Sequence, residues 1–279
     1  MKIGLVPNGI KDKDYLYTKK IVTKLSEFAE IYIHQKAENS FEKNMCLEND
    51  ALYSECDIII ALGGDGTLLE VAHNAAPYKK AVLGVNLGRL GFLAGSESVS
   101  FFEEEYKKLQ SGFEIEERMM IEAKIIHRDG KRETVAALND IVIKRMDFAR
   151  MENIDIYIDD ELLGNYLADG VIVATPTGTT AYSLSAGGPI ADPQLEAMVV
   201  TPVCPHLLRA RPIVVPSTKI IKVSKPMSAT DVSAVTADGK EYCVISGGDR
   251  VFIKKSDYKT RLVKINENGF YNLLSEKLK

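Results

Sequence analysis

The sequence predicts an α/β N-terminal domain, a mostly parallel sheet with helices on both faces, followed by an all-β, sandwich-like C-terminal domain. Three observations predict it. Residues 58–62 are a short, strongly β-branched apolar run, the pattern of a strand buried on both faces, and 2–7 and 81–86 are further short apolar strands, the latter also buried. Helical periodicities lie between them, and alternating elements of this kind specify a parallel sheet. From Met119 onward the helical period disappears, and β-rich segments follow at short intervals, with Asp129-Gly130 and Asp238-Gly239 as tight hairpin signals.

Taken in order, Ile21, Val22, Leu25, Phe28 and Ala29 fall on one helical face, and residues 31–34 read as a strand. Residues 36–55 are polar and ambiguous. The strand at 58–62 runs into Gly63-Gly64-Asp65-Gly66-Thr67, and Leu68, Leu69, Val71 and Ala72 continue a helical pattern that begins at Thr67. The strand at 81–86 ends in a second glycine turn, Gly88-Arg89-Leu90-Gly91-Phe92-Leu93. Ser98 then opens a helix with Phe101, Phe102, Tyr106 and Leu109 inward, and Glu103-Glu104-Glu105 is its wet face. Further strands are expected at 121–127, 134–138, 141–145, 154–158, 171–174, 220–223, 232–236, 242–245, 251–254 and 262–265. The residues alone put the domain boundary near 113–118.

Both glycine turns sit at the carboxyl ends of strands, where α/β sheets hold their ligands. A glycine turn that feeds a helix presents unpaired N–H groups and a partial positive charge, which suits phosphate. Asp65 is the anomaly there. A fixed carboxylate repels a phosphate unless it holds a metal or takes a proton from an attacking hydroxyl; the other reading is that it only caps the helix or shapes the turn. Arg89, in the second turn, either reaches phosphate or is solvated or salt-bridged.

Residues 174–190, ATPTGTTAYSLSAGGPI, form a loop of small hydroxyl residues, a brief helical piece and glycines. Such a density of hydroxyls and exposed amides suits the polar edges of a nucleotide, with Tyr182 able to pack on a base, and at this length that reading outweighs an ordinary Ser/Thr turn.

Composition bounds the rest. With 279 residues and 46% hydrophobic content the chain buries an ample core and fits two domains. A net charge of −4 argues against a nucleic-acid partner. Cys46, Cys56, Cys204 and Cys243 include no C-x-x-C pair, which favours reduced thiols in a cytoplasmic protein. The N-terminal residues have no signal-peptide layout, and no apolar run reaches the ~18 residues of a membrane span, so no membrane partner is expected. Cys204-Pro205-His206 cannot close a zinc site with two residues, and His34, His73 and His127 show no ligand spacing to help.

GGDGT with NLGRLGFL, the Leu138-Asn139-Asp140 step, TPTGTTAYSLSAGGPI and VTPVCPHLLRARPIVV (200–215) occur in the order and spacing of bacterial NAD kinases, and the resemblance covers nearly the whole chain. GGDGT alone is shared with diacylglycerol kinases, sphingosine kinases and, approximately, phosphofructokinases; the 175–190 loop is far more specific. The resemblance implies a domain of residues 1–115, rejoined by 266–279 around Phe270-Tyr271, and a dinucleotide-binding domain of residues 116–265. It implies transfer of the γ-phosphoryl group of ATP to the adenosine 2′-hydroxyl of NAD, with Mg2+ screening the triphosphate and few dedicated protein ligands. It also implies a dimer or tetramer.

By the same resemblance Asp65 is the general base and Gly66 its binding neighbour. Asn139 and Asp140 match an Asn-Glu pair that contacts the dinucleotide, here with an acid one methylene shorter. Thr180, Ala181, Tyr182 and Ser185 match dinucleotide-contacting positions, Asp169 an acid near the nicotinamide end, and Arg150 a basic position for phosphate. Leu167 stands where many members carry a basic residue. Two alternatives are a lipid kinase of the diacylglycerol type, which also carries a GGDGT turn, and a dinucleotide sensor without chemistry, against which the intact Asp65 argues.

Overall fold

The computed structural model describes residues 1–88, 91–93, 95–147, 150–207, 209–265 and 269–279. Arg89 and the side chain of Phe102 lie outside the described residues. The chain divides into two compact units, Met1–Arg118 with Tyr258–Lys279, and Met119–Asp257.

The first unit runs β1 (Lys2–Pro7), α1 (Leu16–Leu25), β2 (Glu30–His34), β3 (Cys46–Leu47), α2 (Asn49–Glu55), β4 (Ile58–Gly63), α3 (Asp65–Ala75), β5 (Ala81–Asn86), β6 (Ser96–Glu97), α4 (Ser98–Glu103) and α5 (Lys108–Ser111). Its strands pair in parallel in the order β3-β2-β1-β4-β5. Side-chain alternation divides the faces. Ile3, Leu5, Ile58 and Ile60 pack with Ile21 and Leu25 of α1 and with Phe101, Tyr106 and Leu109. The opposite parity faces α2: a Cβ on Gly4 would stand 2.9 Å from Ile59, 3.0 Å from Leu52 and 3.2 Å from Cys56. Helices therefore cover both faces. The ambiguous stretch from residue 36 resolves into short 3-10 turns, β3 and α2. The helix expected from Ser98 is broken at Glu104, whose φ of −141° ends α4, and this break is how Phe101, Tyr106 and Leu109 all become buried.

The second unit contains β7 (Glu114–Ile126) from Met119 onward, β8 (Arg132–Ala137), β9 (Asp140–Arg145), β10 (Glu152–Ile158), β11 (Glu161–Ala168), β12 (Gly170–Ala174), α6 (Tyr182–Ser185), β13 (Ala197–Val203), β14 (Ile213–Pro216), β15 (Ile221–Ser224), β16 (Ser233–Ala237), β17 (Lys240–Ile245) and the first half of β18 (Arg250–Lys264). One antiparallel sheet has the order β14-β13-β12-β9-β16-β17; β11-β10-β15-β18 and the β7-β8 hairpin supply the other layer. Ile141, Ile143, Val171, Val173 and Val200 of the first layer meet Ile121, Ile125, Ile154, Ile156, Val223 and Ile253 of the second in one core. On the other face of the six-stranded sheet, Val142, Ile172, Ala174 and Val199 are buried as well, with Ala186 against them. Strands buried on both faces explain why 171–174 carries no polar residue.

β18 leaves this unit after Asp257, and Arg261 and Leu262 pair in parallel with Ala81 and Val82 of β5; α7 (Phe270–Lys277) follows in the first unit. The two strands expected at 251–254 and 262–265 are thus one. β11, β13 and β14 were not expected: β11 is half polar, and Pro202 and Pro216 mask the others. Among the described residues no helix is long and apolar enough to cross a membrane.

Candidate active site

In the first unit β4 delivers the chain into the GGDGT turn. Gly64 is the N-cap of α3, with extended backbone and no capping side chain, so the helix starts two residues before Thr67 and Asp65 is its first residue. Asp65 does not cap. Its Oδ2 accepts the Phe92 amide at 3.1 Å, with the Leu93 amide beside it, and Oδ1 is buried without a hydrogen-bond partner. Gly91 is what admits the carboxylate: a Cβ there would fall 1.8 Å from Oδ1. Burial raises the Asp65 carboxyl above the ordinary Asp value, opposed by the Phe92 and Leu93 amides and then by Lys277 and Lys11. A carboxylate so placed, with one oxygen anchored and the other unpaired, is poised to accept a proton. Gly66 is exposed, and a Cβ on it would meet nothing within 4 Å. The first N–H groups of an α-helix have no intrahelical partner, so this end of α3 offers donors to an anion.

Lys11 is a residue that sequence reasoning missed. Its ammonium fills the space a side chain at 64 would take: a Cβ on Gly64 would lie 2.4 Å from Lys11 Nζ. Asn8 arranges this. Its carbonyl and Oδ1 accept the Lys11 amide at 3.0 and 3.2 Å, while its Nδ2 donates to Thr67 Oγ1 at 2.9 Å, tying the β1 turn to the glycine turn. The only signal in the sequence is a Lys shortly after a strand end, and nothing there connects positions 11 and 64.

In the second unit Asn139 and Asp140 are both buried, at the start of β9. Asp238, in the β16–β17 hairpin that Asp238-Gly239 predicts, accepts the amides of Leu138, Asn139 and Asp140 at 2.8, 2.7 and 3.2 Å. Both turn residues have positive φ, 49° and 76°, as a type I′ hairpin requires. Burial, and after it the charge of Asp238, push the Asp140 carboxyl up to about 7. Asn139 Oδ1 is buried and without a partner. A carboxylate and an amide oxygen with unspent acceptor capacity suit the hydroxyls of a ribose.

The 175–190 loop is bolted to this step. Thr175 N donates to Asn139 O at 2.8 Å, Thr175 Oγ1 donates to Leu138 O at 2.5 Å, and the Gly178 amide donates to Thr175 Oγ1 at 3.0 Å. A Cβ at Gly178 would fall 2.0 Å from Asn139 O, so no other residue fits. Thr179 Oγ1 donates to Pro176 O and accepts the Ala191 amide; Ser183 Oγ pairs with Thr201 Oγ1. For Thr175, Thr179 and Ser183 the ordinary structural reading therefore applies, because their hydroxyls are buried and spent on holding the loop together and tying it to Leu138, Ala191 and Thr201. Thr180 and Ala181 are half-buried, and Tyr182 and Ser185 are exposed, with Lys144 Nζ 5.8 Å from the Tyr182 ring centroid.

Asp169, between β11 and β12, is ion-paired with Arg145, whose Nε lies 2.6 Å from Oδ1. Arg145 is a second partner that the sequence did not disclose. Arg150 is exposed before β10, and Leu167, half-buried on β11, accepts the His206 amide through its carbonyl. Cys204 and His206 are both exposed and belong to no candidate metal cluster among the described residues. His127 is different: it lies with Glu133 and Cys243, which the absence of local ligand spacing had concealed.

Two family models match, the ATP-NAD kinase N-terminal domain over residues 11–111 and the ATP-NAD kinase C-terminal domain over residues 138–265. The chain belongs to the NAD kinase family. It is 44% identical to an NAD kinase of Caldanaerobacter subterraneus subsp. tengcongensis over 99% of this chain and 98% of that protein, and 41% identical to one of Thermoanaerobacter sp. over the same shares. Among solved structures it resembles yeast NADH kinase complexed with NADH, with a TM-score of 0.89 and 26% identity over 100% of this chain and 87% of that one. It also resembles an NAD kinase from Archaeoglobus fulgidus in complex with ATP, with a TM-score of 0.77 and 27% identity over 99% and 98%. The family is that of the resemblance carried by the 175–190 loop.

Proposed function

We propose that this protein is an NAD kinase that transfers the γ-phosphoryl group of ATP to the adenosine 2′-hydroxyl of NAD. The observation that carries the chemistry is the Asp65 carboxylate, anchored through Oδ2 and unpaired at Oδ1, at the N-terminus of a helix opened by glycines. The 2′-hydroxyl is a poor nucleophile at neutral pH. A positioned carboxylate that takes its proton as the phosphoryl group arrives contributes roughly 10²–10⁴-fold. Gly66, the α3 amides and Lys11 receive the triphosphate, whose Mg2+ travels with ATP as part of the substrate and screens its charge. Asp65 Oδ1 is the one acidic oxygen that the turn offers such an ion, consistent with a metal held mainly by phosphate and water.

For the dinucleotide, Asn139 and Asp140 take the ribose hydroxyls, and Thr180, Ala181, Tyr182 and Ser185 take the adenosine and its neighbours. Asp169 lies toward the nicotinamide, and Arg150 toward phosphate. The division of labour is between residues 1–115 with 266–279 and residues 116–265; a dimeric or tetrameric, cytoplasmic enzyme completes the proposal. Purified protein given ATP, Mg2+ and NAD is expected to form NADP, read with an NADP-specific dehydrogenase. Phosphorylation of a diacylglycerol in place of NAD would defeat the proposal.

Two substitutions separate the substrates. Lys11→Ala removes one charged contact to phosphate, which is worth about 1.5–3 kcal/mol when desolvated and less at an exposed residue. The KM for ATP is expected to rise several-fold with the KM for NAD nearly unchanged; an equal rise in both would reduce Lys11 to a support of the turn.

Asp140→Asn tests the acceptor on the ribose. Because burial raises the folded carboxyl to about 7 from 3.8, the native state binds a proton more readily than the unfolded chain, and stability falls as pH rises from about 4 to about 7. Asparagine abolishes that loss. The variant is expected to unfold later than the parent at pH 8, by an amount that shrinks toward pH 4, while its KM for NAD rises. A variant that is less stable at pH 8 would mean that the Asp140 charge is compensated in the free protein.

A further inference from the structure

We propose that His127, Glu133 and Cys243 form a binding site for a divalent transition-metal ion of the zinc type, within the second unit and independent of the kinase chemistry. His127 follows β7 at the mouth of the β7–β8 turn, where its amide donates to Lys131 O at 2.9 Å and its carbonyl accepts the Gly130 amide at 2.9 Å. Glu133 stands on β8 opposite Ile125, and Cys243 lies on β17, paired with Val235. One ligand atom from each residue falls within 4.8 Å of the others, and Nε2 is the imidazole nitrogen that faces Glu133.

The decisive feature is the environment of the imidazole. Nδ1 is 3.2 Å from Asp249 Oδ2, and Nε2 is 3.1 Å from Glu133 Oε1. A neutral imidazole has one N–H. Asp249 is a fixed acceptor, its oxygens held by the amides of Arg128 at 2.7 Å and Ser246 at 2.9 Å, so it takes the Nδ1 proton. The Nε2 lone pair is then aimed at a carboxylate oxygen, an arrangement that calls for positive charge between the two.

A second proton supplies that charge, and so does a metal; Cys243 decides between them. A thiol contributes nothing to an imidazolium but supplies the third donor to a metal, and the carboxylate–histidine order Asp249-His127 is the usual support behind a metal-bound imidazole. A thiol binds a metal as the thiolate, so the Cys243 proton leaves to solvent on binding. Tetrahedral zinc sets neighbouring N, O and S donors roughly 3.2–3.7 Å apart, which the Nε2–Oε1 pair approaches already at 3.1 Å. Lys131 Nζ, 2.7 Å from Glu133 Oε1 and 63% exposed, neutralises Glu133 in the metal-free chain and has open solvent to retreat into. Glu133, the Cys243 thiolate, Asp249 and Lys131 sum to about −2, which one divalent ion cancels. Nitrogen and sulfur donors select zinc or cobalt over magnesium.

The test is titration of the chelator-treated, full-length protein with Co2+, followed by displacement with Zn2+. The wild type is expected to bind one equivalent with the thiolate-to-cobalt charge-transfer absorption and visible bands of a tetrahedral site, all lost on adding Zn2+. Cys243→Ser abolishes the charge-transfer absorption, and Cys204→Ser, at an exposed thiol, leaves it intact. Asp249→Asn weakens Co2+ binding by about 10–100-fold without removing a ligand. Should Cys243→Ser fail to fold, Glu133→Gln provides the same test through affinity, with a loss of at least tenfold expected. Absence of the absorption in the wild type, its survival in Cys243→Ser, or a doubly protonated His127 that Zn2+ does not perturb by NMR would each overturn the site.

Discussion

Asp65→Asn is expected to lower kcat by at least about 10²-fold while the Kd for NAD stays within a few-fold of the parent. The substitution preserves shape: the asparagine oxygen still accepts the Phe92 amide, and its NH2 occupies the position of Oδ1 against Gly91. What disappears is the acceptor for the 2′-hydroxyl proton, whose worth as general-base catalysis sets the lower bound. An interaction made only as the proton moves lowers kcat and kcat/KM together, whereas uniform binding appears in KM alone. Steady-state kinetics and NAD titration on the same preparation separate the two. More than about a tenth of normal turnover in Asp65→Asn would remove the general-base assignment.

The second large effect concerns stability. Lys225, with its side chain wholly buried, donates to Glu152 Oε2 at 2.6 Å, Asp231 Oδ2 at 2.5 Å and Ser233 Oγ at 2.8 Å. Glu152 is equally buried on β10, and Ser233 opens β16, so one ammonium joins the two layers of the second unit. Desolvation raises the Glu152 carboxyl, and Lys225 with Ser233 opposes it. Lys225→Met leaves that carboxylate buried without its counter-charge, with the Ser233 hydroxyl still donating to it, at a cost of about 3–5 kcal/mol. The urea midpoint is expected to fall accordingly, and Lys225→Met combined with Glu152→Leu to recover most of the loss, since a well-packed apolar pair replaces a buried ion pair at little cost. A loss below about 1 kcal/mol would mean that water or rearrangement compensates Glu152.

Much of the fold was legible because its physics is local. The strands at 58–62 and 81–86 announce themselves by short apolar runs, strongly β-branched in the first, and Gly63, Gly64 and Gly66 mark where β4 must turn. What stayed hidden depends on pairing between distant positions. β13 carries Pro202 opposite Val171, so a residue that ordinarily argues against a strand is tolerated within one. β18 reads as two strands because Lys254, Lys255, Asp257, Tyr258 and Lys259 interrupt its apolar pattern, although Ser256 and Thr260 in that stretch are buried.

The site followed the same rule. The positions Asp65, Asn139, Asp140 and the 175–190 loop come from motifs that are contiguous in sequence. Their partners are not contiguous: Phe92 and Gly91 for Asp65, Lys11 for Gly64, Asp238 for the Asn139-Asp140 step, Arg145 for Asp169. The residues that set the electrostatics of a site are separated from it along the chain, and only folding brings them to it. Within the loop the buried hydroxyls of Thr175, Thr179 and Ser183 are spent on partners that only folding supplies, Leu138, Ala191 and Thr201 among them.

The central claim, transfer of the terminal phosphoryl group of ATP to the 2′-oxygen of NAD, is tested most directly by phosphorus NMR of the nucleotide formed from ATP, Mg2+ and NAD. A phosphomonoester on the adenosine 2′-oxygen, formed in one-to-one proportion with ADP and absent with Asp65→Asn, is the predicted result. ADP and free phosphate with NAD unchanged, or a phosphoryl group on any other oxygen, would contradict it.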